Sequence, residues 1–325
     1  MKYHLTITLL SLVIVCNLSA QEEANESRKE KKEKKEKKIT FIPLPVIASN
    51  PSNGFMYGLA PGATWYMGDK SNTRISSALG TVIYTTKKQL ILTAKSTVML
   101  SGDNWIMLGD WRYFITSQPT YGLGTGPQSA KPIGVGIEYS DDLFSKPIPD
   151  AQMMEFNYFR FHQTLLKRMK DSYFYVGLGF HYDNHSKIND NLLKLDSDSI
   201  TSHYAYNTST GFSSTEYTTS GVSLNGMYDS RDNAINPYKG RYAFINLRIN
   251  PTFFGSDKSS SILWYEYRDY IHLDQERPRH LIGFWTYGWF VTSGDVPYLD
   301  LPAVGWDQFG RSGRAYTQGG SGVKI

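Results

Sequence analysis

Apolar and polar residues alternate with a period of two through eleven separate segments of this chain, near 41–48, 54–67, 73–85, 88–100, 104–115, 151–164, 171–183, 217–228, 240–250, 260–272 and 279–291. That period puts successive side chains on opposite faces of a β-strand. Segment 171–183 sets Phe174, Val176, Leu178, Phe180 and Tyr182 against Tyr173, Gly177, Gly179 and His181. Segment 88–100 sets Leu90, Leu92, Ala94, Val98 and Leu100 against Gln89, Thr93, Lys95 and Thr97. Segment 240–250 sets Ala243, Ile245, Leu247 and Ile249 against Tyr242, Asn246, Arg248 and Asn250. Most segments exceed the usual soluble strand of about five or six residues. Tilted strands of this length cross a bilayer.

The connections fit the same reading. Some are tight turns, "GDKSN", "TTKK" and "SGDN"; others are the long polar stretches 116–150, 184–216 and 292–325. Short turns at one end and long loops at the other are what a membrane barrel shows. Helical periodicity is nearly absent. No run of about eighteen apolar residues occurs, so no helix of the sequence suits a membrane span. Mean hydropathy is −0.39, which agrees with strands apolar on one face only. Trp65, Tyr66, Trp105, Trp111, Tyr113, Trp285, Tyr287 and Trp289 cluster toward segment ends, as interfacial girdles would. A soluble all-β core also collects aromatics. The fold class expected is all-β, a transmembrane antiparallel β-barrel.

The first forty residues differ from the rest. Lys2, an apolar run from Leu5 to Val15 and Ala20 before Gln21 read as a signal peptide over 1–20. Val15 stands where a lipoprotein signal before Cys16 needs a small residue. Cys16 is the single cysteine, so the exported chain is expected to hold neither disulfide nor thiolate site. Residues 21–38 carry eight Lys/Arg and six Glu, a charged linker that reads as a solvated spacer or as a polybasic contact with anionic lipid. With the chain at +4 overall, residues 39–325 are close to neutral. They show no nucleic-acid footprint. The expected organisation is 1–20 signal peptide, 21–38 linker and 39–325 barrel domain.

No motif for chemistry stands out. HExxH and GxSxG do not occur among the seven histidines and the serines. Asp183 and His185 in "YDNHS" could serve a metal, but a polar loop accounts for them as well. Asp110 with Arg112, and Glu266 with Arg268, alternate along their segments and are expected to pair across strands in a wet interior. Neither catalysis nor a cofactor is expected.

The stretch "YDSRDNAINPYKGRYAFINLRI" places Asp229, Arg231 and Asp232 at one strand's end, then Pro237 and Gly240 before the next. Pro cannot donate to a ladder, and Gly opens backbone conformations closed to other residues. Physics alone gives a charged β-turn. The stretch also resembles the bacterial surface antigen family, the superfamily of outer-membrane assembly factors and two-partner secretion transporters, in which a strand ending D-S/T-R-D precedes P-x-x-G. "SGDVPYLDLPAVGWDQFGRSGRAY" is similar to the family's lumen loop, with Arg314, Ala315 and Tyr316 at its R-G-F/Y motif, and "FIPLPVIASNPSNGFMYGLAPG" to its first strands. Ala315 stands where the family has Gly.

The resemblance implies an outer-membrane protein of a Gram-negative bacterium, exported by its signal peptide, in protein assembly or polypeptide translocation. Its partners would be outer-membrane lipid and unfolded outer-membrane or secreted polypeptides. Arg314 and Tyr316 would anchor the loop in the lumen, and Asp229, Arg231 and Asp232 would fix the strand-turn at a rim. Residues 21–40 leave no room for POTRA domains, so a member without them is expected. Eleven strands of a sixteen-stranded family barrel suggest a product truncated or frame-shifted at its C-terminus. A passive small-solute pore or structural outer-membrane protein, an outer-membrane phospholipase and a soluble secreted β-protein are the alternatives.

Overall fold

The computed structural model describes residues 39–50, 53–120, 122, 138–145, 148, 151–197, 199–274, 277 and 280–302. The chain divides at residue 40 into two units, and the second, residues 41–325, carries the sheet. Its strands are β1 (Ile39–Asn50), β2 (Gly54–Trp65), β3 (Ser76–Thr85), β4 (Leu90–Met99), β5 (Trp105–Thr120), β6 (Glu138–Ser140), β7 (Leu143–Phe144), β8 (Gln152–Arg168), β9 (Phe174–Asp190), β10 (Tyr217–Asp229), β11 (Gly240–Asn250), β12 (Ser260–His272) and β13 (Leu281–Gly294). Among the described residues, eleven form one sheet in the order β1-β2-β3-β4-β5-β8-β9-β10-β11-β12-β13, while β6 and β7 make a separate hairpin. All eleven expected strands are in that sheet. With β6 and β7 set aside the order is that of the sequence, so each strand of the large sheet pairs with the sheet strand before it, β8 with β5 and β10 with β9 for example, in antiparallel register.

Two expectations are corrected. The stretch 184–216 is not simply a polar loop, because β9 continues to Asp190 and a helix, α1 (Ser202–Thr210), follows. The Thr201 side chain accepts from the Tyr204 backbone N–H at its start, and Gly211 at φ +69° ends it. Short polar residues carry this helix on tertiary contacts, which is why no apolar period revealed it. Turn lengths also do not separate cleanly. Strand direction puts connections 66–75, 100–104, 169–173, 230–239 and 273–280 at one end, the turn end. The "TTKK" turn lies at the opposite loop end, beside the long connections 121–151 and 191–216.

The two faces of the sheet have inverted polarity. Leu178 and Leu224, opposite each other on β9 and β10, are 64% and 57% exposed. Phe174, Val176, Ile245, Ile249 and Ile271 share that outer face. Asp183 and Glu266 on the inner face are each 1% exposed. Water-soluble domains arrange these classes the other way. An apolar outside around a polar inside is the pattern of a membrane barrel. Aromatics divide accordingly. Trp111 lies on the outer face, stacked on Phe161 at 5.7 Å. Tyr287 and Trp289, expected in a girdle, instead pack on Trp264 of the interior.

The sheet is rolled. Neighbouring strands lie about 4.8 Å apart, so the five steps from β3 to β10 would span roughly 24 Å if flat. Arg74, two residues before β3, nonetheless reaches Asp229 at the end of β10, with Nη1 2.8 Å from Oδ2.

Candidate functional site: a charged interior and a charged rim

Inside the roll, Asp183 of β9 is the hub of an ion-pair network. Tyr158, Arg160 and His162 stand at alternate positions of β8, and Arg160 is in register with Asp183, so all three face it. Tyr158 Oη and Arg160 Nε donate to Asp183 Oδ1 at 2.7 and 2.8 Å. Arg248 Nη1, from β11, donates to Oδ2 at 2.6 Å, and His162 Nε2 lies 2.7 Å from the same oxygen. Arg248 also donates to Asn250 Oδ1 at 2.5 Å and to the Thr219 carbonyl at 2.9 Å. A carboxylate this buried persists only with several such donors.

The pairs expected to join across strands mostly close along their own. Arg112 Nε donates to Asp110 Oδ1 at 2.7 Å, and Arg268 Nε to Glu266 Oε1 at 2.5 Å. Residues two apart lie on one face, and arginine is long enough to fold back. Links that do cross come from other residues: Arg160 Nη1 is 3.7 Å from Asp110 Oδ2, and Trp285 Nε1 donates to Glu266 Oε1 at 2.9 Å. Asp183 and His185 lie in a strand rather than a loop. His185 stacks on Tyr158, with ring centroids 4.4 Å apart, and turns Nδ1 toward Asp300 at 3.6 Å, so the two residues do not share a ligand. Among the described residues no group of three or more His, Cys, Asp or Glu side chains is arranged to hold a metal.

The second charged site is at the turn end and contains the "DSRD" residues. Asp229 accepts from Arg231 Nε at 2.8 Å and Nη2 at 3.0 Å, as well as from Arg74. Arg74 Nε donates to Asp103 Oδ2 at 2.6 Å and its Nη2 to Tyr175 Oη at 3.1 Å. Burial opposes the charge on Arg74, but Asp229, Tyr175 and Asp103 together hold its pKa above the usual arginine value. Arg231 caps the Tyr242 ring at 4.4 Å. Asp232 takes a different part: its Oδ1 accepts the Tyr238 and Lys239 backbone N–H groups at 3.0 and 3.3 Å and so closes the turn. Pro237 sits in that turn outside any ladder. Gly240 opens β11 at φ +101°, where an added Cβ would lie 2.3 Å from the Ser230 carbonyl oxygen. A cavity of about 410 Å³ opens beside this cluster, lined by Lys70, Arg74, Asp103, Arg168, Asp232 and others.

Asp229 and Arg231 are thus brought together with Arg74, Asp103 and Tyr175, which sequence reasoning missed. Arg74 and Asp103 stand in turns with no motif around them. The one local signal is "SGDN", where Gly102 at φ +66° and Asp103 at φ +55° form a left-handed turn that aims the carboxylate inward. Arg314, Ala315 and Tyr316 lie outside the described residues, as do residues 1–38.

At the loop end, the chain after β13 folds inward. Val296, Tyr298, Leu299 and Leu301 join Met154, Phe156, Tyr158, Ile188 and Tyr217 in one buried apolar cluster.

Residues 135–305 match the Omp85 superfamily domain. Among solved structures, the crystal structure of BamA from Haemophilus ducreyi lacking POTRA domains 1–3 is similar, with a TM-score of 0.44 and 17% identity over 82% of this chain and 44% of that one. The chain therefore spans less than half the length of that solved chain. No curated protein matches.

Proposed function

The chain belongs to the Omp85 superfamily, and on that premise we propose that it is an outer-membrane β-barrel protein that assembles or translocates other polypeptides. The observation that carries the reading is the inverted polarity of the sheet, with Leu178 and Leu224 outside and Asp183 and Glu266 inside. That face suits lipid, and an interior lined with hydrogen-bonding side chains suits a wet or protein-filled lumen. The partners are outer-membrane lipid and unfolded outer-membrane or secreted polypeptides. Export by a signal peptide over 1–20 belongs to the same reading. The residues with assigned parts are structural: Asp229, Arg231, Asp232, Pro237 and Gly240 hold one rim, and Arg314, Ala315 and Tyr316 belong to the loop directed into the lumen. No reaction is assigned to them.

The test is reconstitution of the full chain in liposomes, followed by addition of a urea-unfolded outer-membrane barrel as client. Faster conversion of the client to its heat-modifiable, protease-resistant form than in empty liposomes supports the proposal. Equal rates together with a steady large conductance would replace it by a passive pore. Release from membranes by carbonate without detergent would overturn the membrane reading itself.

A further inference from the structure

The segment that follows β13 is held more tightly than a connecting loop requires. Its side chains are buried, Leu299 being 1% exposed. Its backbone is gripped from two sides. From α1, Tyr206 Oη donates to the Val296 carbonyl at 3.1 Å, and Asn207 Oδ1 accepts the Tyr298 N–H at 3.0 Å. Asn207 is itself fixed by His203 Nε2 at 3.1 Å and the Ser213 carbonyl at 2.9 Å. From the wall, Thr120 Oγ1 and Tyr298 Oη lie 2.6 Å apart, Tyr217 Oη accepts the Leu299 N–H at 3.4 Å, and Thr219 Oγ1 donates to Asp300 Oδ2 at 2.7 Å.

We propose that residues 296–301 form a strap that α1 locks into the interior of the sheet, and that ionisation of Asp300 loosens it. This inference does not rest on the assembly reading. Asp300 is the strap's one acidic side chain, placed over the charged hub. It faces Asp183 and His185 of β9, Tyr217 and Thr219 of β10, Arg248 of β11, and Tyr158 and Arg160 of β8. His185 Nδ1 and Nε2 make no hydrogen bond among the described residues, so the carboxyl has a neutral, poorly solvated neighbour on that side. The Asp183 carboxylate opposes a second negative charge. Arg248 and Arg160 favour it, but they are already spent on Asp183. Burial first and Asp183 second push Asp300 from 3.8 up to about 7. An acid whose pKa is raised in the closed state favours that state when protonated. The strap is therefore tightest below pH 4, loosens as pH climbs toward 7, and changes little above that.

The test follows opening of the strap by thiol labelling of the refolded full chain. Cys16 is the sole cysteine, so a Cys16→Ser background carrying Leu299→Cys reports the strap alone. The same background carrying Phe253→Cys, at a site 82% exposed, corrects for the reagent's own pH dependence. With a water-soluble maleimide, the ratio of the two rates should rise on the order of a hundredfold from pH 5 to pH 8. Asp300→Asn should keep it low and flat, and Tyr206→Phe with Asn207→Ala should raise it about tenfold at pH 5. Hydrogen exchange at the Tyr298 and Leu299 amides of the unsubstituted chain measures the same opening without an introduced thiol. A pH-independent ratio, protection factors at the Tyr298 and Leu299 amides that do not fall as pH rises, or an Asp300→Asn chain that keeps the slope would overturn the proposal.

Discussion

Arg74 and Asp229 are 155 residues apart in sequence and 2.8 Å apart in space. The contact joins the turn before β3 to the end of β10, so it spans the roll of the sheet. Arg74 ties Asp103, Tyr175 and Asp229 together, while Arg231 holds Asp229 from its own turn. Arg74→Met should lower stability by about 2 kcal/mol, less than a fully buried pair because the side chain is partly exposed. Urea unfolding of the refolded chain, read by tryptophan fluorescence, gives the value. A double-mutant cycle with Asp229→Asn should return a coupling of about 1 kcal/mol or more. Strict additivity would mean that the contact does not hold the roll.

Asp183 accepts from donors on two strands, β8 and β11, and its removal leaves Arg160 and Arg248 facing each other without a shared acceptor. Asp183→Asn should cost about 3–5 kcal/mol. The heat-modifiable gel shift should weaken or vanish. A variant as stable as the parent would show that the hub is replaceable by water.

Leu224 and Asn225 are neighbours with opposite surroundings. Leu224 lies on the exposed apolar face, and Asn225 donates inward to Ser223 Oγ at 2.8 Å. In liposomes Leu224→Arg should cost about 2–4 kcal/mol. On a water-facing surface the same change would stay within about 0.5 kcal/mol. Folding yield into liposomes across a urea series separates the two, and a neutral result would argue against lipid on that face.

Gly240 combines positive φ with a close carbonyl. Gly240→Ala should destabilise by more than about 1 kcal/mol, since both the backbone conformation and the space resist a Cβ. Pro237→Ala should change the same unfolding midpoint far less, because Pro237 serves no ladder bond. Equal effects would mean that the turn is not held by Gly240.

The strands were legible because their signal is local. Segment 171–183 shows its two faces directly, and Leu178 and His181 lie on the sides their alternation assigns. The "DSRD" turn was legible for a related reason: Asp229, Arg231 and Gly240 lie close in sequence and act within one hairpin. The ends of β9 were harder, because "NHSKIND" is polar on both faces and its pairing comes from β8 and β10. Helix α1 is likewise polar by composition and owes its place to Tyr298 and Tyr217.

By itself, then, the sequence determined the eleven strands of the main sheet, though not the β6–β7 hairpin, together with the pairing of neighbours and the choice of outer face, because period-two alternation and chain order are one-dimensional properties. The tertiary structure decided which charges meet. Arg248 finds Asp183, Arg74 finds Asp229, and Asp300 comes to face both His185 and Asp183. Those contacts depend on how far the sheet rolls and where the chain re-enters it, and no residue carries that distance in its own neighbourhood.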